Sequence, residues 1–154
     1  MSELLDLYEE YLKTEKKASV NTVSSYLRDM RQFQADMDHQ DIPLEEAMSQ
    51  DIEHYAASLT RKGKSGASVN RSIASIKCFY NFMIVLGLMD HNPAKGIAAA
   101  KVERKLPQIL TGKEVELFLE QPECTDLKGC RDRAMLELLY ATGIRVSELI
   151  ALNV

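Results

Sequence analysis

The chain has 154 residues, 45% apolar and 27% charged, which suits one ordinary domain, or a small domain plus a piece of another, around a core that needs neither metal nor disulfide to fold. No apolar run reaches the length of a membrane span, and the acidic, amphipathic start MSELLDLYEEYLKTEKK is no secretory signal, so a cytoplasmic location is expected. The net charge of −4 argues weakly against nucleic acid as a partner, but residues 61–113 carry 10 basic and 2 acidic side chains between acidic flanks, a local electrostatic footprint that the total conceals.

The pattern is helical almost throughout, with no alternating strand signal and no internal repeat. Residues 2–16 place Leu4, Leu5, Tyr8, Tyr11 and Leu12 at spacings of three and four. Ser19 reads as the N-cap of a second helix whose apolar positions include Val23, Tyr26, Leu27, Met30, Phe33 and Met37. Pro43 opens a short turn, and Ser49 then caps a third helix with Ile52, Tyr55, Ala56 and Leu59 inward. Gly63 ends that helix, and KGKSG makes an exposed basic loop. A fourth helix runs from near Ala67 to Leu86 on a stripe of Val69, Ile73, Ile76, Tyr80 and Met83, until Gly87 stops it and Pro93 forbids an immediate restart. Four amphipathic helices on short loops predict a compact bundle.

Residues 94–108 mix small and basic side chains and read as a linker. Thr111 with Glu114 three residues later is a capping box, so a new helix begins there. Another covers roughly residues 127–141 with Ala134, Met135, Leu138 and Leu139 inward; Thr142-Gly143 breaks it, and a short last helix carries Arg145 and Glu148. The expected fold is all-α: a four-helix bundle over residues 1–100, a linker over 101–108, and a helical segment over 109–154. That segment exposes much apolar surface without a partner layer, which fits part of a larger domain better than a complete one.

Cys78, Cys124 and Cys130 are an odd number with no metal spacing and read as reduced structural thiols, while His39, His54 and His91 stand far apart, so no metal site is expected. On a helical wheel Arg145 and Glu148 both fall within the apolar arc of the last helix. A charge there needs a partner. Two readings are open: an internal Arg145–Glu148 ion pair, or an arginine held at a cleft floor to bind an anion, with Glu148 fixing its orientation. Guanidinium suits phosphate because its fork donates two parallel hydrogen bonds.

LLYATGIRVSELIAL, residues 138–152, resembles the first catalytic box of the tyrosine recombinases, the lambda-integrase-like enzymes, and most closely their Xer-type bacterial members. NTVSSYLRDMRQF at 21–33 resembles the second helix of their core-binding domain. SVNRSIASIKCFYNFMIVLGLMDHNPA at 68–94 resembles its fourth helix and exit, and KLPQILTGKEVELFL at 105–119 the start of the catalytic domain. The similarity covers nearly the whole chain in the right order. It implies site-specific recombination of double-stranded DNA through a 3′-phosphotyrosyl intermediate, with no cofactor, metal, membrane or small-molecule substrate, by a homo-tetramer on two duplexes. By the same resemblance Arg145 matches the first catalytic arginine and Glu148 the supporting acid. The family's lysine, His-x-x-Arg box and nucleophilic tyrosine have no match in this sequence, so the chain is expected not to cleave DNA. Tyr140, at a helix-core position, is not taken for the nucleophile.

The resemblance also implies that the second and fourth helices face the duplex. Ser68, Arg71, Ser72 and Ser75 are expected opposite the apolar stripe of the fourth helix, flanked by Asn70 and Lys77. Arg61, Lys62 and Lys64 suit backbone phosphates, and Asn21, Thr22, Ser25 and Arg28 are the candidates on the second helix, with Arg31 further along. The linker basics Lys101, Arg104 and Lys105 would track the duplex. A non-catalytic DNA-binding module, and a helical protein whose basic block binds an acidic partner, stay open as alternatives.

Overall fold

The computed structural model describes residues 2–100 and 108–152, and the side chains of 4–100 and 108–152. The described residues hold seven helices and no strand: α1 (Ser2–Thr14), α2 (Val20–Asp38), α3 (Ser49–Arg61), α4 (Gly66–Val85), α5 (Gly112–Glu120), α6 (Leu127–Thr142) and α7 (Val146–Ile150). None of these helices is long and apolar enough to cross a membrane. They fall into two compact units, Met1–Glu103 and Arg104–Val154.

In the first unit α4 is the centre, packed against α1, α2 and α3. Its predicted stripe of Val69, Ile73, Ile76, Tyr80 and Met83 is buried throughout, and so are Phe79 and Phe82. The stripe is therefore wider than one partner requires, because three helices surround it. Aromatic rings fill the middle: Tyr8 meets the edge of Phe79 at 5.2 Å, and Phe33 meets Tyr55 at 5.1 Å. Such edge-on pairs add to the burial they accompany. Two buried hydroxyls are tied to carbonyls, Tyr8 Oη donating to Ser75 O at 3.4 Å and Tyr80 Oη to Leu44 O at 3.0 Å.

The helix ends follow local chemistry. Ser19 Oγ accepts the Thr22 N–H at 3.3 Å at the start of α2, and Ser65 Oγ accepts the Ser68 N–H at 3.3 Å at the start of α4. Gly87 takes φ +70°, the left-handed conformation that only glycine adopts without strain. α1 stops at Thr14, short of the expected residue 16. Ser49 is the first residue of α3 and not its cap. Asp51 Oδ2 accepts the Met48 N–H at 2.8 Å, and Ser49 Oγ donates instead to Pro93 O at 2.6 Å.

The stretch read as a linker from residue 94 belongs to the bundle as far as Ala100. Ala94 and Ile97 are buried in the core. Lys77 Nζ donates to Ile97 O at 2.6 Å. Asn70 bonds the backbone of Ala100 twice, its Nδ2 donating to the carbonyl and its Oδ1 accepting the N–H, both at 2.8 Å. The side-chain amide thus replaces a neighbouring strand, leaving no orphan backbone group at Ala100.

In the second unit the Thr111 capping box forms as the spacing predicts. Glu114 Oε2 accepts the Thr111 N–H at 2.7 Å, and these bonds hold the Glu114 carboxyl below its ordinary value. Asp126 caps α6 by accepting the Gly129 N–H at 2.7 Å, and Gly143 at φ +66° ends it. Leu149 is the one buried hydrophobic of this unit among the described residues, while Ile109, Leu117, Phe118, Val146, Ile150 and Leu152 are exposed. Ala134 and Leu138 are also exposed, and Tyr140 is 64% exposed, contrary to the expected inward positions. A helix with no layer on one side leaves that side bare, whatever its periodicity. The expectation of three free thiols is overturned as well. Cys124 and Cys130 are joined in a disulfide across the turn that Asp126 caps, and Cys78 alone is free.

Candidate functional sites

The first site lies between α2 and α4. Asp29, 2% exposed, sits three residues after Tyr26 and four before Phe33, on the edge of the apolar stripe of α2. An unpaired carboxylate there would be costly. Arg71 supplies the partner from α4 through two parallel bonds, Nε to Oδ2 at 2.9 Å and Nη2 to Oδ1 at 3.0 Å. Ser75 Oγ stands 3.1 Å from Asp29 Oδ2 and 3.1 Å from the Arg71 carbonyl. The hydrogen bond to Asp29 holds the Arg71 guanidinium above its ordinary value, more than desolvation lowers it. The Arg71 side chain remains 42% exposed, so only one edge of it is committed inward.

That exposed side opens on a cleft of about 350 Å³, lined by Arg28, Gln32, Lys64, Ser68 and Arg71 over a floor that includes Leu59. Four of the residues singled out in the sequence, Arg28, Lys64, Ser68 and Arg71, are thereby brought together from three segments. Neither Arg28 nor Lys64 pairs with an acid among the described residues, so their charges face solvent uncompensated.

Other candidates are placed differently. Asn21 is exposed and Ser25 half-buried on the first turns of α2, and Thr22 Oγ1 lies 2.9 Å from the capping Ser19 Oγ. Arg31 lines a separate hollow with Glu9, Lys13 and Val20. Arg61 is exposed at the end of α3, and Lys62 Nζ makes only a long contact to Asp36 Oδ1 at 3.9 Å. Ser72 and Ser75 are not opposite the apolar stripe: they are 3% and 0% exposed and point into the bundle, where Ser75 braces Asp29. Asn70 and Lys77 spend their donors on the 97–100 backbone. Lys101, Arg104 and Lys105 lie outside the described residues. Sequence reasoning missed Asp29, and the signal available was a single carboxylate bordering an apolar stripe.

The second site is Arg145 with Glu148. Arg145 is not inside a helix but is the N-cap of α7, with ψ 150°. Its side chain is 81% exposed and that of Glu148 52%. Glu148 does two things at once: Oε2 accepts the Arg145 N–H at 2.8 Å, and Oε1 accepts from Arg145 Nη1 at 3.0 Å. The wheel argument for a desolvated pair therefore fails, because a residue with extended backbone does not follow the 100° step of the helix it precedes. An exposed pair of this kind adds roughly 0–1 kcal/mol of stability. Its value is orientation, since it fixes one edge of the guanidinium and leaves Nε and Nη2 available.

Two family models match. The one described as phage integrase, N-terminal SAM-like domain, covers residues 5–86, and the one described as phage integrase family covers residues 108–154. Among curated proteins the chain is 43% identical to the tyrosine recombinase XerD of Oceanobacillus iheyensis, over 94% of this chain and 49% of that protein. It is 37% identical to XerD of Staphylococcus haemolyticus, over 100% and 52%, and 35% identical to the tyrosine recombinase XerC of Roseiflexus castenholzii, over 100% and 50%. The chain spans about half the length of the curated relatives it matches.

Proposed function

Because the chain belongs to the phage integrase family, we propose that it serves site-specific recombination of double-stranded DNA, gripping the duplex with its bundle and contributing the first arginine of the strand-cleaving centre. One observation carries the DNA reading: Arg28, Lys64, Ser68 and Arg71 converge on one cleft of a chain whose net charge is −4. Phosphates are the natural counterpart of the unpaired Arg28 and Lys64, and Arg61 and Lys62 extend the basic surface at the end of α3. Asn21 and Ser25, on the first turns of α2, are the polar candidates nearer its start. Such a protein works in the cytoplasm on chromosomal or mobile DNA, as a homo-tetramer that holds two duplexes.

The test is a duplex titration at rising salt. With about five phosphates neutralised, log K falls with log salt at a slope of roughly −4 to −5, so a fourfold rise in salt weakens binding by roughly 250- to 1,000-fold. A flat dependence would remove the electrostatic reading, and the absence of binding at low salt would leave the acidic-partner alternative.

In the cleavage centre the proposed task of Arg145 is to hold the scissile phosphate through Nε and Nη2 and to stabilise the charge that builds on its oxygens. Glu148 keeps the guanidinium turned. The reaction class attaches a tyrosine hydroxyl to the 3′ phosphate and releases a 5′ hydroxyl, and no residue of this sequence is assigned that tyrosine. The 154-residue chain is therefore expected to bind a nicked suicide duplex without forming a covalent adduct. A protein–DNA band that survives denaturing electrophoresis would overturn this assignment.

A further inference from the structure

A guanidinium has five N–H donors. Asp29 takes the side edge of Arg71, Nε and one hydrogen of Nη2. What remains is the end fork, Nη1 with the second Nη2 hydrogen, and Nη1 donates to no other described residue. That fork matches two kinds of planar acceptor pair in DNA, the O6 and N7 of guanine and the paired oxygens of a phosphate.

Three observations favour the base. First, Asp29 cancels the charge of Arg71 without consuming its fork, which leaves directional donors with little net attraction for a polyanion. Second, the uncompensated charges stand beside it on Arg28 and Lys64, already placed for phosphates. Third, Ala67, Ser68 and Ala74 share the solvent side of α4 with Arg71. A helix surface of small residues enters a groove closely, and one long side chain rising from it reaches the base edges first.

We infer that Arg71 reads a guanine edge in the major groove, and that buried Asp29, braced by Ser75, is the positioning residue that aims it, whereas Arg28 and Lys64 supply the charge-dependent grip. This deepens the DNA reading given above and rests on it. It divides the cleft into a neutral reader and charged clamps.

The experiment selects from a pool of randomised DNA duplexes with the 154-residue chain, sequences the retained fraction, and measures the salt slope on a retained duplex. The unsubstituted chain is expected to show a guanine preference at one position. Arg71→Lys and the double variant Asp29→Asn/Arg71→Ala, which removes both charges of the pair at once, lose that preference, by at least roughly fivefold, and keep the salt slope. Arg71→Lys retains the charge on a half-exposed side chain and so separates the lost fork from lost folding. Lys64→Ala keeps the preference and flattens the slope by about one. Asp29→Asn loosens the preference and, by exposing the charge of Arg71, steepens the slope by about one. A guanine preference that survives Arg71→Lys, a slope that flattens by about one in the double variant Asp29→Asn/Arg71→Ala, or retained duplexes with no guanine preference would each overturn the inference while DNA binding stands. A chain that retains no duplex at low salt would overturn the DNA reading itself, and this inference with it.

Discussion

Phe33→Ala is expected to lower the stability of the amino-terminal bundle by about 3–5 kcal/mol. Phe33 is 0% exposed and touches rings on two other helices, Tyr55 at 5.1 Å on α3 and Tyr80 at 6.4 Å on α4. Truncation removes the transfer energy of the ring and leaves a hole between three helices, none of which can move in without breaking its contacts with α4. Single domains have about 5–15 kcal/mol in all, so the variant stands near the edge of unfolding at room temperature. Urea denaturation followed by tyrosine fluorescence reports the bundle, because the chain has no tryptophan and five of its 6 tyrosines lie in residues 1–103. Phe118→Ala is the comparison: that ring is 55% exposed on α5 and should leave the bundle transition where it is. Similar losses from both substitutions would contradict the assignment of the core.

High pH should unfold the bundle abruptly. Burial pushes the Tyr8 and Tyr80 hydroxyls far above the ordinary value of 10.0, and each is held as a donor to a carbonyl. The folded value is the raised one, so their contribution is fully present below pH 10 and is lost as pH climbs above it, where the unfolded chain releases these protons and the folded one keeps them. Each costs about 1.4 kcal/mol per pH unit in that range, and the two together about 2.7. The share of the tyrosinate absorbance that belongs to Tyr8 and Tyr80 should therefore appear in one cooperative step coincident with loss of helix, not as a gradual titration centred near 10. Tyr8→Phe should make the alkaline loss of stability shallower by one tyrosine's share. An unchanged pH dependence in that variant would show that the hydroxyl is ionising in place.

The helices were legible because their apolar spacing is regular and their caps are local: Ser19, Thr111 with Glu114, and the glycines at 63, 87 and 143 each act within a few residues. What was illegible depends on partners distant in sequence. Ser72 and Ser75 look like a polar face until α2 is known to lie over them with a carboxylate that Ser75 can reach. The same holds for Asn70 and Lys77, whose polarity is spent on the passing chain at 97–100 and not on solvent. The DNA candidates Arg28, Lys64, Ser68 and Arg71 were readable as a basic and polar set, but their convergence on one cleft, and the carboxylate behind Arg71, were not. Arg145 was found through a motif, while its placement by the wheel failed at the point where the backbone leaves helical geometry.

The central place of α4 has a consequence for how the protein is made. Chains emerge from the ribosome amino end first, and α1, α2 and α3 all precede the helix on which they pack. Until α4 has cleared the exit, the first sixty residues lack the helix that covers most of their apolar stripes, which stay exposed to chaperones and proteases. Asp29 waits for Arg71, 42 residues behind it. The last helix of the bundle to arrive thus brings both the centre of the core, which Ala94 and Ile97 then complete, and the Arg71 side of the cleft, so folding of the bundle and assembly of the cleft depend on the same element.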